Sequence, residues 1–119
     1  MARAERLICA SDALPDAGIG MRFEVDYFGE SVPAFVVRWR GQVYGYLNRC
    51  GHMPMELDWQ PGVFFGAEGR DLICSTHGAA YAVTDGRCLG GPCEGTPLVR
   101  LAVTERDGAI YFLGIDDDG

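Results

Sequence analysis

The chain has 119 residues, of which 48% are hydrophobic and 23% charged, a balance typical of one folded domain and not of a disordered segment. All 10 positively charged side chains are arginines, and the net charge of −7 excludes the clustered basic surface that nucleic-acid binding requires. An acidic surface favours either simple solubility or a basic protein partner. The sequence contains no stretch of membrane-spanning length and no secretory signal, so we expect a cytoplasmic protein that does not bind a membrane.

Short alternating apolar segments, separated by turn residues, predict an all-β chain. The 17 glycines and 6 prolines also favour short strands joined by turns. In chain order, the predicted strands cover residues 7–10, 21–27, 32–39, 42–47, 63–65, 71–73, 80–83, 87–89, 98–103 and 109–113. The segment 53–69 is predicted to be mainly loop, and the sequence shows no long amphipathic helix, internal repeat or linker. We therefore expect a single domain over residues 1–119.

The chain has only 2 histidines, and each stands close to a cysteine in a loop that follows a predicted strand. The pattern is Cys50-x-His52 and, after 21 intervening residues, Cys74-x-x-His77. Thiolate and imidazole are the ligands that suit iron and zinc. Because residues two apart on an extended backbone point to the same side, one loop can offer a cysteine to one iron and a histidine to another. Two boxes of this kind predict a metal centre that is held between two loops.

This constellation resembles the Rieske family, whose signature is C-x-H followed by C-x-x-H. The resemblance implies a [2Fe–2S] cluster in which Cys50 and Cys74 bind one iron, while His52 and His77 bind the other. It also implies stacked antiparallel sheets with a small cluster-binding subdomain at about residues 48–93. Neutral imidazoles in place of two thiolates raise the reduction potential above that of an all-cysteine cluster.

The same resemblance assigns residues around the cluster. Gly78 follows the second histidine, Pro92 belongs to a loop that covers the cluster, and Tyr81 stands where some members have a tyrosine that bonds to a ligand sulfur. Ala79 replaces the serine of high-potential respiratory members, so that hydrogen bond is missing. The ligand loops also lack the extra cysteines that form a disulfide in those members. We therefore expect a potential between the ferredoxin-like and respiratory classes.

The resemblance implies an electron carrier and not an enzyme. Both histidines are used in the boxes, so the chain cannot supply the mononuclear iron site of an oxygenase. It also has no dinucleotide-binding glycine motif. The implied partners are a flavin reductase and a terminal oxygenase, with the carrier acting as a monomer. Two alternatives stay open, namely a small subunit of a nitrite reductase type of enzyme and a structural zinc-binding interaction module.

The remaining cysteines and aromatic residues have simpler interpretations. Cys88 and Cys93 flank a Gly-Gly-Pro loop, and either a disulfide or two small buried side chains would fit, the second being favoured. Cys9 is predicted to lie in the core. The aromatic residues of the central strands are predicted to pack the sheet: Trp39, Tyr44 and Tyr46.

Overall fold

The computed structural model describes residues 6–49, 57, 62–66, 69–74, 78–90 and 97–116. The strands are β1 (Arg6–Ala10), β2 (Met21–Tyr27), β3 (Glu30–Trp39), β4 (Gln42–Leu47), β5 (Asp71–Ile73), β6 (Ala80–Ala82), β7 (Cys88–Gly90), β8 (Arg100–Arg106) and β9 (Ala109–Asp116). A 3₁₀ turn over Ser11–Ala13 is the one helical element of the described residues, which confirms the all-β prediction. In this part of the chain, no helix has the length and apolar character needed to cross a membrane.

Six predicted strands differ from the observed ones by one to three residues at one or both ends, and the predicted strand over 63–65 is absent. Hydrogen bonding explains that absence and the later start of β8. Residues 63–65 form no strand, because only Phe65 bridges to Leu72 of β5. Residues 98 and 99 precede β8 because their backbone groups bond elsewhere: Leu98 N–H donates to the Gly86 carbonyl, and the Val99 carbonyl accepts from Leu47. These pairings join distant parts of the chain, and no local pattern predicts them.

The strands form two antiparallel sheets. The larger has six strands in the order β1-β9-β8-β4-β3-β2, and the smaller has three in the order β5-β6-β7. Strands β4 and β8 pair only at Gly45 with Leu101 and at Tyr46 with Arg100, so the large sheet can fold over at this join. The fold brings β1 towards β2, where the Arg6 side chain donates to the backbone carbonyl of Glu24. The large sheet thus encloses a core between its two halves.

Strand β3 is apolar on both faces because it lies between two cores. Its side chains alternate, so that Ala34 and Val36 face the interior of the folded sheet, while Phe35 and Val37 face the small sheet. On that outer face, the Phe35 ring stacks on Phe64 with the ring centroids 3.9 Å apart. This second core attaches the small sheet to the large one.

The aromatic residues and Cys9 occupy the places predicted for them. Tyr46 is fully buried, and its hydroxyl donates to the Val83 carbonyl at 2.6 Å. Trp39 and Tyr44 pack against the same core, which confirms their role in sheet packing. Cys9 is partly buried and packs against the interior core, and burial raises the pKa of its thiol. The prediction that Cys9 is a core residue is therefore confirmed.

An ion pair between Arg38 and Glu105 joins β3 to β8. Arg38 donates to both carboxylate oxygens of Glu105, at 3.0 and 2.6 Å, and also to the carbonyls of Ser11 and Leu14. The Arg38 hydrogen bonds lower the pKa of the Glu105 carboxyl from its ordinary 4.5 to about 2. The pair therefore links the two halves of the sheet through a titratable group.

We expect the fold to lose the contribution of this pair on acidification. A carboxyl whose folded pKa is depressed stabilises the fold above its unfolded pKa, and the contribution disappears as the pH falls from about 4.5 towards 2. Glu105→Gln should remove this part of the acid sensitivity. The loss of unfolding free energy on acidification should become smaller by up to about 1 kcal/mol, because the pair is partly screened by solvent. Urea unfolding at about pH 7 and about pH 3 measures it. Arg38→Gln should flatten the profile in the same way, and an unchanged profile in both variants would contradict the assignment.

Candidate metal centre

The first box begins where β4 ends, and Asn48 holds that point in place. Asn48 is fully buried, the one buried polar side chain in the described ranges, and its backbone N–H donates to the Pro33 carbonyl at 2.8 Å. Its side-chain Oδ1 accepts a hydrogen bond from the backbone N–H of Leu57, also at 2.8 Å. Leu57 is itself fully buried. The two ends of the segment that carries Cys50 and His52 are therefore fastened to each other and to the sheet.

Sequence reasoning did not identify Asn48 as a functional residue. The available signal was a polar residue directly after the apolar end of a strand and two positions before a candidate ligand. Such residues are usually solvent-exposed, and only the bond to Leu57, nine positions along the chain, gives Asn48 its role.

The second box begins where β5 ends, in a tight loop. Cys74 is fully buried and forms no disulfide. Its backbone N–H donates to the Ala79 carbonyl at 2.8 Å, and Gly78 donates back to the Cys74 carbonyl at 2.7 Å. Gly78 has a φ of 75°, and no atom lies within 4 Å of the place where a Cβ would stand. Glycine is thus favoured by the backbone conformation alone, and it closes the loop that contains His77.

Strands β4 and β5, which precede the two boxes in the sequence, both run towards the beginning of β3. The first leaves β4 beside Pro33, near the beginning of that strand. Strand β5 follows Gly69, whose carbonyl accepts from the Trp39 indole at the far end of β3. Strand β5 ends at Ile73, whose backbone N–H donates to the Phe64 carbonyl. The Phe64 ring stacks on Phe35, which is nearer the beginning of β3. The direction of β5 thus brings the second box towards the first.

The structure describes three of the seven residues predicted for the site: Cys74, Gly78 and Tyr81. Cys50, His52, His77 and Pro92 lie outside the described residues, so their part in the site remains a prediction. Tyr81 is fully buried and pairs with Leu72 across β5 and β6. Because Cys74 is two residues after Leu72, its side chain lies on the same face as Tyr81, and both belong to one buried cluster. This placement favours a contact between Tyr81 and the ligand sulfur region.

The chemistry of the described residues fits an iron–sulfur cluster. Cys74 offers a buried thiol with no disulfide, in apolar surroundings, and soft thiolates are the usual ligands of such clusters. Ala79 beside it is fully buried and has no hydroxyl to donate. Within the ranges that the structure describes, no group of three or more Cys, His, Asp or Glu side chains is placed to hold a metal.

Cys88 requires a correction. It was favoured as a small buried thiol, but it is disulfide-bonded, and its partner lies outside the described residues. Strand β7 places it opposite Tyr81, where it is only partly buried. Two cysteines around a turn-rich loop were the sequence signal for a disulfide, and the frequent use of cysteine as a small apolar residue outweighed it.

Two antiparallel sheets, with a buried Cys74 thiol directly after β5, fit the small metal-binding β protein that the two cysteine- and histidine-containing boxes predict. The sequence matches the model of the Rieske [2Fe-2S] domain family over residues 5–105. The chain therefore belongs to the Rieske family, and its domain binds a [2Fe–2S] cluster.

Solved structures show the same architecture over the whole chain. The ferredoxin of carbazole 1,9a-dioxygenase from Nocardioides aromaticivorans IC177 is 25% identical, with a TM-score of 0.73 over 96% of this chain and 99% of that one. A chain in a complex of reduced oxygenase and oxidised ferredoxin of carbazole 1,9a-dioxygenase is also 25% identical, with a TM-score of 0.72 over 94% of both chains. The Sphingomonas yanoikuyae B1 ferredoxin, at 21% identity and a TM-score of 0.70 over 92% of this chain and 97% of that one, shares the fold. A comparison with curated protein sequences finds no match.

Proposed function

We propose that this chain is a Rieske ferredoxin that passes single electrons to a terminal oxygenase. The observation that carries the proposal is the match, over 96% of this chain and 99% of the other, to a ferredoxin of a dioxygenase system. The common direction of β4 and β5 towards the beginning of β3 supports an electron exit at that end.

The proposed ligands are Cys50 and Cys74 on one iron, with His52 and His77 on the other. When bound, the cluster supplies reversible one-electron chemistry. The protein's own contribution is positional: Asn48 fastens the first box, and the loop closed by Gly78 fastens the second. Tyr81 and Ala79 set the polarity on the Cys74 side, since one can donate a hydrogen bond and the other cannot.

The proposed partners are a flavin reductase as electron donor and a terminal oxygenase as acceptor. A complex of oxygenase and ferredoxin is known for the carbazole 1,9a-dioxygenase relative. The absence of a dinucleotide-binding glycine motif in the sequence supports a separate donor protein. The same proposal has the carrier act as a monomer in the cytoplasm, where its reductase and oxygenase would be.

Metal and sulfide analysis of the purified protein, with EPR of the dithionite-reduced form, tests the proposal. We expect iron and labile sulfide in equal amounts, a rhombic signal on reduction, and reoxidation by an added oxygenase. Zinc without labile sulfide would overturn it in favour of a structural zinc module. Stable co-purification with a large reductase subunit would instead support the nitrite reductase type of assembly.

A further inference from the structure

The tip of the hairpin between β2 and β3 exposes an aromatic residue. Phe28 is 85% exposed, the highest exposure of any large hydrophobic side chain in the described part of the chain. Its ring packs on that of Tyr27, with the centroids 4.6 Å apart and the planes at 61°. The two rings form a small aromatic patch at the end of the hairpin.

The backbone at this tip does not favour phenylalanine. Phe28 has a φ of 51° and Gly29 has a φ of 81°, so both central residues of the turn are left-handed. Two-residue turns of this kind prefer Asn, Asp or Gly at the first position, and a bulky residue there is strained. The β8–β9 hairpin of the same chain has the preferred pair, Asp107 and Gly108, with φ values of 51° and 76°. Turn geometry therefore does not explain Phe28.

Packing within the chain does not fully explain the phenylalanine at position 28 either. In the third such turn, between β3 and β4, the Arg40 guanidinium lies 4.5 Å from the centroid of the Trp39 ring, a contact that gives this residue a local role. Phe28 gains little burial in return for its strained backbone. A strained, solvent-exposed aromatic residue is a pattern that docking to another protein explains.

Acidic side chains surround the tip. Glu24, Asp26 and Glu30 are all exposed, and residues 23–31 contain no basic residue. The Ser31 hydroxyl donates to the Glu24 carboxylate at 2.8 Å, and the Arg6 side chain reaches the Glu24 backbone carbonyl. Arg6 contacts the backbone of the hairpin, and the charged side chains of residues 23–31 at the tip are all acidic. A partner that fits this rim carries positive charge.

The tip lies beyond the end of β3 at which β4 leads into Asn48. Asn48, at the start of the first box, bonds to Pro33 of β3, and the hairpin continues from Pro33 to Phe28. Five residues of strand span about 17 Å. A standard protein interface covers about 800 Å² on each partner, a patch about 32 Å across. One partner can therefore cover the hairpin tip and the end of β4 at Asn48 together.

We propose that this hairpin tip is a docking anchor for the oxygenase partner. Phe28 and Tyr27 enter an apolar pocket on that protein, while Glu24, Asp26 and Glu30 pair with a basic rim around it. The inference rests on the proposed electron transfer to an oxygenase and adds a second contact beside the cluster. The anchor would hold the boxes over the electron acceptor and raise the rate of productive encounters.

The variant Phe28→Asn separates docking from folding, because asparagine suits the turn better than phenylalanine. The probe is the terminal oxygenase of carbazole 1,9a-dioxygenase from Nocardioides aromaticivorans IC177. Stopped-flow oxidation of the dithionite-reduced protein by this oxygenase gives a second-order rate constant. For Phe28→Asn we expect a rate constant about 10- to 30-fold lower than that of the wild type, as for the loss of an interface hot spot. The melting temperature should be unchanged or higher.

Asp107→Asn is the matched control, because it places asparagine at the equivalent position of the β8–β9 turn, at the end of β8 remote from its pairing with β4. Its rate constant should equal that of the wild type. The triple variant Glu24→Gln, Asp26→Asn, Glu30→Gln should weaken the dependence of the rate on salt. Equal rate constants for Phe28→Asn and the wild type would overturn the docking inference and leave the carrier function standing. A wild-type protein that carries no reducible cluster would instead overturn the proposed function.

Discussion

Replacing Cys74 by serine should abolish cluster binding, whereas replacing Cys9 by serine should leave the cluster in place. Cys74 is the one proposed ligand that the structure describes, and a serine hydroxyl cannot replace a thiolate bound to iron. The expected result for Cys74→Ser is a colourless protein with less than about a tenth of the wild-type iron and labile sulfide. Iron and sulfide analysis with visible absorption measures it.

Cys9→Ser is the matched control because Cys9 is the other free thiol of the described residues. It packs against the interior core on the far side of β3 from the small sheet, so its loss should not reach the cluster. Cys74→Ala checks that a buried hydroxyl is not what removes the cluster. If both Cys74 variants kept wild-type iron and sulfide, Cys74 could not be a ligand.

The strand pattern could be predicted from the sequence wherever alternation is local. Strands β2, β4 and β5 lie at the residues predicted for them, because turn residues border each of them. Strand β3 begins two residues before its predicted start, since the turn at Phe28 and Gly29 is tight enough to let pairing continue to Glu30. The class of metal centre also followed from two short spacings between cysteine and histidine.

The remaining features depend on contacts between residues that are distant in the sequence. The loop 53–69 contains Phe64, whose stacking on Phe35 attaches the small sheet without any strand over 63–65. No local pattern shows that β4 and β8 pair at only two positions. The role of Asn48 is likewise set by Leu57 and Pro33, which reach it only in the folded chain.

Tertiary contacts also explain how the large sheet supports the site. Trp39, Tyr46 and Phe35 of the large sheet contact residues that flank the strands of the small sheet, namely Gly69, Val83 and Phe64. These contacts lie along the outer face of β3 and β4. The Trp39 contact is at the end of β3, and the neighbouring Phe35 and Tyr46 contacts are nearer its beginning. The small sheet is therefore fixed along its length, and movement of the second box requires breaking buried contacts of the large sheet.

Replacing Asn48 by alanine should destabilise the fold and shorten the lifetime of the cluster. The substitution leaves the buried Leu57 N–H without its acceptor, and an unsatisfied buried donor costs about 1–3 kcal/mol. The segment between these residues, which carries Cys50 and His52, loses the bond that joins its two ends. Urea unfolding gives the change in stability, and the decay of visible absorption in air gives the cluster lifetime.

Asp16→Ala is the control, because Asp16 Oδ1 also accepts a backbone N–H, from Gly41 at 2.8 Å, but at an exposed site at the other end of β3. Exposed groups bond to water when their partner is lost, so this variant should lose less than about 1 kcal/mol and keep the wild-type cluster lifetime. A shorter lifetime for Asn48→Ala alone shows that the bond acts on the first box and not merely on overall stability. Equal lifetimes for Asn48→Ala and the wild type would mean that the ligands of the first box hold their positions without Asn48, and that the cluster itself organises the loop.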